Sequence, residues 1–401
     1  MDRTKLAERN RRLANFQHRL TAREQLRRQM LRLLALAPVP PLLRPQKNTI
    51  LLIRPDHLGD MLLTMPAIQA LRQAQPDARL IGLTGEWSAP VMAAYPEVDT
   101  VLTLPFPGFT RKAKQGGIIN PYLAAWQWAR QLRMLRIETA VLLRPDHWWG
   151  ALLAWLAGIP NRIGYGLPDV RPFLTEAIPP LTEAHTVAQS LRLLRRWTGS
   201  VDAASLKMTY PVHADDRTHI TDLLQEHGLA AGRQIIVIHP GAGTTFKRWL
   251  PEYWTAVAGR LAERFNAAVI FTGSDQEQGV IMPIMGKLRA VESHSLAGET
   301  NVAQLAALYE RALVVLGPDS GPLHLAVAAG APTVHLYGPA DPAKFGPWGD
   351  PTRQIVLTSG IGCRPCNILA WPGDSPDLHP CIRDITPRQV IEAAISAVER
   401  R

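Results

Sequence analysis

The chain of 401 residues is 46% hydrophobic and 19% charged, which excludes disorder as its main state. At roughly 150 residues per domain, the length predicts two domains with separate cores. Three cysteines exclude a disulfide scaffold, and no apolar run reaches the ~20 residues of a bilayer span. Residues 1–12 lack the apolar core of a signal peptide, so we expect a cytoplasmic protein.

The net charge of +10 is concentrated in an N-terminal arm. Residues 1–48 contain twelve Lys and Arg but only three acidic residues, whereas the rest of the chain is close to neutral. The tryptophans are not interleaved with the basic residues as nucleic-acid stacking would require. We therefore expect no nucleic-acid partner.

Apolar residues recur through the arm at spacings typical of one helix face, with arginines between them. The pattern predicts one amphipathic basic helix that ends near Ala37-Pro38. Two roles remain open for this helix. It can attach to an anionic membrane surface, where each Lys or Arg contributes about 1 kcal/mol, or it can dock on its own domain or a partner. The recurring residues are Leu6, Leu13, Phe16, Leu20, Met30, Leu33 and Leu34.

Beyond the arm, short apolar runs alternate with helical stretches, which is typical of parallel α/β units. We predict two doubly wound domains that join between Trp197 and Tyr210 and face a ligand-binding cleft. The predicted divisions are 1–47 for the arm, 48–204 and 205–385 for the two domains, and 386–401 for a C-terminal helix. Strands are predicted at Thr49–Ile53, Leu80–Thr84, Thr100–Leu104, Thr139–Leu143, Arg162–Tyr165, Gln234–His239, Ala268–Thr272, Ala312–Leu316, Thr333–Leu336 and Gln354–Leu357.

The first segment that can carry chemistry follows the strand ending at Ile53. Gly59 permits close backbone approach, and Asp60 stands at a helix start, where it is either a functional carboxylate or a cap worth ~1 kcal/mol. The tetrapeptide 54–57, Arg-Pro-Asp-His, recurs at 144–147 after another predicted strand. We expect the two copies to lie at the same edge of the first sheet.

The second segment is a glycine-rich loop, 239–243, followed by Thr244, Thr245 and Lys247. Backbone N–H groups, hydroxyls and an ammonium suit an anionic group such as phosphate. The loop meets neither the dinucleotide fingerprint nor the spacing of a P-loop. An ordinary turn therefore remains an alternative.

The third segment joins a predicted strand to a helix that begins around Asp319, Ser320 and Pro322. A helix N-terminus carries roughly +0.5 charge and binds phosphate, although Asp319 or Ser320 can also act simply as a cap. Two anion sites on successive units of one sheet favour a shared diphosphate.

The fourth segment contains Cys363, Cys366, His379 and Cys381. Three cysteines and a histidine can hold zinc tetrahedrally, but only one residue separates His379 from Cys381. Free thiols near a surface loop remain the alternative, and we assign no metal site.

Segments one to three, with residues 337–342 after the third, resemble the ADP-heptose:lipopolysaccharide heptosyltransferases, glycosyltransferase family nine. The resemblance covers about Ile50 to Val398, and its most specific pieces are Gly59-Asp60 and the run Asp319 to His324. It implies a GT-B architecture with an N-terminal acceptor domain and a C-terminal donor domain. It also implies inverting sugar transfer without a metal ion or other cofactor.

The resemblance further implies roles for individual residues. Asp60 matches the proposed general base, Asp319 the donor-sugar ligand, and Asp275, more weakly, an acid for the nucleotide ribose. Further matches to phosphate and diphosphate contacts are Thr244, Thr245, Lys247, Ser320, Gly321, Pro322, Leu323 and His324. The long basic arm and the form of the glycine loop depart from the best-known heptosyltransferases.

These observations predict a glycosyltransferase that moves a sugar, expected to be heptose from ADP-heptose, onto a lipid-linked or polysaccharide acceptor. We expect it in the cytoplasm, peripheral on the inner face of the membrane if the arm binds lipid. The acceptor pocket is expected to use Trp87, residues 106–114, Trp148 and Trp149. The alternatives are a non-catalytic nucleotide-sugar scaffold, a transferase with another nucleotide sugar, and a nucleotide-sugar epimerase or dehydrogenase. The last is disfavoured because this sequence lacks the complete glycine fingerprint of such enzymes.

Overall fold

The protein is described by a computed structural model over residues 2–39, 44–109, 120–181, 183–371 and 373–400. Its helices are α1 Arg3–Gln17, α2 Ala22–Leu34, α3 Leu58–Leu62, α4 Met65–Ala74, α5 Ala89–Ala93, α6 Asn120–Met134, α7 Trp148–Leu156, α8 Thr186–Thr198, α9 Ala214–Glu226, α10 Pro251–Phe265, α11 Gln278–Met285, α12 Val302–Arg311, α13 Gly321–Ala328, α14 Pro342–Phe345 and α15 Pro387–Glu399. Its strands are β1 Thr49–Ile53, β2 Arg79–Thr84, β3 Thr100–Thr103, β4 Thr139–Leu142, β5 Asn161–Tyr165, β6 Glu176–Ile178, β7 Ile235–Ile238, β8 Ala268–Phe271, β9 Ser293–Ser295, β10 Ala312–Pro318, β11 Thr333–Tyr337 and β12 Gln354–Thr358.

The chain divides into two compact units. The N-terminal unit is Arg19–Leu206, and the C-terminal unit combines Met1–His18 with Lys207–Arg401. The division after Leu206 falls inside the interval in which the sequence places the domain join. Each unit is considered separately below.

The N-terminal unit is built on a six-stranded sheet in the order β3-β2-β1-β4-β5-β6, and every pairing is parallel. Strand β1 is buried along its whole length because helices cover both faces of a parallel sheet. One apolar cluster in the core of this unit contains Leu51, Leu142, Trp149 and Phe173.

The C-terminal unit repeats this topology in the order β12-β11-β10-β7-β8-β9, again with parallel pairing. Helix α15 packs its Val390, Ala394 and Ala397 into the core of this unit, together with Trp254. The C-terminal helix is therefore an integral part of this unit's core. The predicted class, two doubly wound α/β domains, is confirmed.

The arm differs from the single helix that the sequence pattern predicts. It forms α1 and α2, which are separated at residues 18–21, and the two helices belong to different units. The break has a local cause: Thr21 and Glu24 form a complete capping box that starts α2. Residues 40–43 of the arm lie outside the described residues.

Both arm helices dock on the protein. Helix α2 buries Leu31 in the core of the N-terminal unit, and its Arg27 and Arg28 pair with Asp169. Each arm helix therefore docks on the protein through one of its sides. The opposite side of α2 is considered under the proposed function. Among the described helices, we find none with the length and apolar character to cross a bilayer.

The docking of α2 can be tested with two leucines on opposite sides of the helix. Leu31 is 0% exposed and Leu33 is 70% exposed. Leu31→Ala leaves a cavity, so we expect it to lower the free energy of unfolding by about 2–5 kcal/mol, measured by urea denaturation. Leu33→Ala should change it by no more than about 0.5 kcal/mol. Equal effects of the two substitutions would contradict the docked arrangement.

Candidate functional site

Asp60 lies in the first turn of α3, directly after the loop that follows β1. Its side chain is 36% exposed, and its Oδ1 lies 3.5 Å from Nη2 of Arg54. No side-chain cap bond is present at His57, the N-cap of α3, and Asp60 itself lies inside the helix. Asp60 therefore lies in the first turn of the helix and not at its N-cap position.

Arg54, which lies next to Asp60, makes two further contacts. It is buried, its Nη1 donates to the carbonyl of Leu143 at 2.6 Å, and its Nε lies 2.9 Å from Oδ2 of buried Asp56. Arg144 pairs with the other oxygen of Asp56. Although burial opposes ionisation of Asp56, the guanidinium groups of Arg54 and Arg144 hold its pKa below its ordinary value.

The two tetrapeptides that recur in the sequence thus meet in space. Arg144 also donates from Nε to Asp146 at 2.6 Å, so it bridges the two copies. The repeated Arg-Pro-Asp-His pattern was the signal for this network, although the sequence did not assign any of these residues to a site. His147 of the second copy is buried among aromatic rings, and burial lowers its pKa to about 3, so it is neutral at physiological pH.

The aromatic residues expected in the acceptor pocket have different environments. Trp87 is partly exposed, donates from Nε1 to the carbonyl of Asp56 at 3.1 Å and stacks on Phe109, with ring centroids 6.5 Å apart. Trp149 and Phe106 are instead buried in the core. Trp148 is partly buried, and Arg27 of α2 lies over its ring. Residues 110–114 of the expected pocket lie outside the described residues.

In the C-terminal unit, the glycine loop ends in a single 3-10 turn, Thr245–Lys247. Thr244 caps this turn by accepting from the backbone N–H of Phe246 at 3.1 Å, while Thr245 is exposed. Nζ of Lys247 lies 2.5 Å from Oδ2 of Asp319, which follows β10. The second and third segments of the sequence are therefore brought together by a direct ion pair.

Helix α13 begins next to this ion pair. Ser320 is its N-cap residue but makes no side-chain cap bond, and its buried Oγ has no hydrogen-bond partner among the described residues. A buried hydroxyl without a partner is costly, so Ser320 is suited to receive a polar ligand. Gly321 and Pro322 begin the first turn, and since proline has no N–H, the N–H of Gly321 lies at the positive end of the helix dipole.

Two residues of the predicted diphosphate contact point into the protein. Leu323 is fully buried, and His324 is 4% exposed with its ring 5.9 Å from that of His335. Their side chains pack the helix against the sheet.

Two acids lie in the 3-10 turn that follows Ser274. Asp275 begins a 3-10 turn and lies against Gly298, whereas the carboxylate of Glu277 lies so close to Gly241 that a Cβ there would require the Glu277 side chain to move. Burial raises the pKa of Glu277, but a bond from the backbone of Ser274 and the nearby His239 outweigh it and lower the pKa. The sequence favoured Asp275 and overlooked Glu277, whose Ser274-to-Glu277 capping box was the available signal.

The fourth segment of the sequence holds three free thiols, those of Cys363, Cys366 and Cys381. His379 is already engaged, since its Nε2 donates to Asp374 at 2.8 Å and its ring stacks on Trp371. Within the described ranges, no group of three or more His, Cys, Asp or Glu residues is arranged to hold a metal ion.

Comparison with known proteins decides the family. The profile of glycosyltransferase family 9 (heptosyltransferase) matches residues 126–368, more than half of the chain. The chain belongs to this family. The resemblance seen in the sequence is thereby confirmed, and the protein is a glycosyltransferase of the heptosyltransferase type.

Individual relatives agree with this assignment. Lipopolysaccharide heptosyltransferase 2 of Escherichia coli K12 is 27% identical over 354 residues, covering 86% of this chain and 96% of the relative. Two solved structures share the fold at 23% identity. A family 9 glycosyltransferase from Veillonella parvula gives a TM-score of 0.72 over 90% of this chain and 99% of that one. The E. coli ADP-heptose LPS heptosyltransferase II gives 0.69 over 88% and 99%.

Proposed function

We propose that this glycosyltransferase transfers heptose from ADP-heptose, with inversion and without a metal ion, to a lipid-linked or polysaccharide acceptor of the lipopolysaccharide core or a related glycan. The observation that carries the proposal is the Lys247–Asp319 ion pair beside the hydroxyl of Ser320 at the start of α13, which has no hydrogen-bond partner within the described part of the chain. The names of the E. coli relatives, which contain lipopolysaccharide, heptosyltransferase and ADP-heptose, support the choice of donor and acceptor class.

The C-terminal unit would bind the donor and stabilise the leaving group. When the bond between the sugar carbon and ADP breaks, negative charge grows on the diphosphate. The ammonium of Lys247 and the N–H groups at the start of α13 are positive groups already fixed in place, so they need little reorganisation to stabilise that charge. Asp319 holds Lys247 in the ligand-free protein and is suited to accept a hydrogen bond from a sugar hydroxyl.

The N-terminal unit would activate the acceptor. Asp60 accepts the proton of the acceptor hydroxyl as its oxygen forms the new bond to the sugar carbon and ADP departs. An aspartate is a weak base towards a free hydroxyl, but bond formation acidifies that hydroxyl and makes the transfer favourable. Arg54, fixed by Asp56 and the carbonyl of Leu143, would keep the carboxylate of Asp60 oriented.

Donor binding provides the first test. In calorimetric titrations in the presence of a chelator, we expect ADP to bind more tightly than UDP or GDP. Lys247→Ala should weaken ADP binding about tenfold or more because a charge-assisted contact is worth roughly 1.5–3 kcal/mol. The control is Lys287→Ala, which removes an exposed lysine of the same unit. Preference for UDP or GDP would disprove the proposed donor, and unchanged ADP affinity of Lys247→Ala would disprove its role.

The base is tested by turnover. Asp60→Asn should bind ADP normally and slow sugar transfer by about 10²–10⁴-fold, since general-base catalysis contributes that much. Asp77→Asn, which alters an exposed aspartate of the same unit, should transfer at the normal rate. Full activity of the Asp60→Asn variant would show that another group takes the proton.

The outer side of α2 supports contact with an anionic membrane surface, where a lipid-linked acceptor would be found. Opposite its docked side, the segment exposes Leu26 (71%), Leu33 (70%) and, just beyond the helix, Leu36 (80%). Arg23 and Arg32 flank these leucines, and both are exposed. Exposed leucines can enter the apolar layer below the lipid headgroups, and the arginines beside them can contact the negatively charged headgroups.

Vesicle sedimentation tests this surface. The protein should bind phosphatidylcholine vesicles that contain phosphatidylglycerol, and the binding should weaken with salt because the attraction is screened within about 8–10 Å at physiological ionic strength. Replacing Leu26 and Leu33 together by Glu should abolish binding, whereas Met282→Glu, at an exposed methionine of the other unit, should not. Equal binding by both variants, or none by the wild type, would contradict the proposal.

A further inference from the structure

Helix α1 lies along one segment of the C-terminal unit, residues 362–384, here termed the cysteine segment. Four side chains of α1 and that of His18, which directly follows the helix, contact it. Asn10, which is buried, donates from Nδ2 to the carbonyl of Leu378 at 2.8 Å, and His18 donates from Nε2 to the carbonyl of Cys366 at 3.1 Å. The remaining contacts are Arg3 with Asp384, Arg9 with Asp374, and Arg11 with the carbonyl of Gly362.

The cysteine segment in turn encloses Phe246. This residue stands between Thr245 and Lys247, in the middle of the turn that carries the candidate phosphate contacts. Its ring is buried against Ile368 and Trp371 of the cysteine segment and against Ala14 of α1. Neither side chain of the turn adjacent to Phe246 is as deeply buried, so Phe246 anchors the turn.

One chain of direct contacts joins α1 to this anchor. Nη2 of Arg9 donates to both oxygens of Asp374, at 2.8 and 2.9 Å. Asp374 accepts from His379 at 2.8 Å, and the His379 ring meets the Phe246 ring edge-on, with centroids 5.3 Å apart. The stacking of His379 on Trp371, with centroids 4.3 Å apart, fixes its ring plane.

We propose that α1 is a positioning element for the donor site, which holds Lys247 in place through Arg9, Asp374, His379 and Phe246. The inference rests on the proposed role of Lys247 towards a diphosphate. It gives the arm a task in the reaction that is separate from any contact of α2 with lipid. Arg9 does not touch the donor and acts only through the turn.

A double-mutant cycle measured by ADP titration of the full-length protein tests the proposal. Arg9→Ala should raise the Kd for ADP about threefold to tenfold, the range over which residues along a coupled path modulate binding. The same substitution in the Lys247→Ala background should have almost no further effect because the group being positioned is gone. Arg9→Lys, which can still donate to Asp374, should restore most of the affinity.

Two comparisons distinguish positioning from a merely structural role. Partial unfolding would reduce the fraction of protein that binds and leave its Kd unchanged, whereas mispositioning changes the Kd itself. Arg12→Ala removes an exposed arginine of the same helix and should bind ADP normally. Additive effects of Arg9→Ala and Lys247→Ala, or an unchanged Kd in Arg9→Ala, would overturn the inference. Failure of Lys247→Ala alone to weaken binding would instead overturn the proposed donor site.

Discussion

The parallel pairing of the strands is the constraint on which both candidate sites depend. In a parallel sheet all carboxyl ends lie at one edge, and the loops that follow neighbouring strands come together there. Each sheet reverses its winding between two central strands, β1 and β4 in one unit and β7 and β10 in the other. Such switch points open a crevice beyond the strand ends. The charged residues of both candidate sites follow these strands: Asp60, Arg144, Lys247 and Asp319.

The buried charges at the two switch points are compensated in different ways. In the N-terminal unit, Arg54 and Arg144 enclose Asp56, and Arg144 also pairs with Asp146, so the two guanidinium groups are balanced by these carboxylates while Arg54 also lies near Asp60. Removing one member of such a network would leave an uncompensated buried charge, which is strongly destabilising. In the C-terminal unit, Lys247 and Asp319 balance each other. An incoming diphosphate can then share the lysine without the protein having to hold an isolated ammonium in the ligand-free state.

The sequence was sufficient to predict the strands that carry the sites because these strands are buried on both faces and appear as continuous apolar runs. It missed β6 and β9, Glu176–Ile178 and Ser293–Ser295, which lie at sheet edges and have only three residues each, too few to give a continuous apolar run. The sequence also predicted that Lys247 and Asp319 belong to one site, because the motif and the sheet topology both placed them there. The orientation of Leu323 and His324, and the approach of Glu277 to Gly241, depend on side-chain packing that no spacing rule records.

The arm shows why a single periodic pattern can conceal two structures. Apolar spacing continues through residues 18–21, so periodicity alone predicts one helix, yet the capping box of Thr21 and Glu24 ends that continuity locally. Because the two helices are separate, each can dock on a different part of the protein. Asn10 and Ala14 of α1 are buried against the cysteine segment and Phe246, while Leu31 of α2 enters another core. The arginines follow the same division: Arg9 faces Asp374 and Arg28 faces Asp169, and those outside these ion pairs, such as Arg23 and Arg32, account for the positive surface.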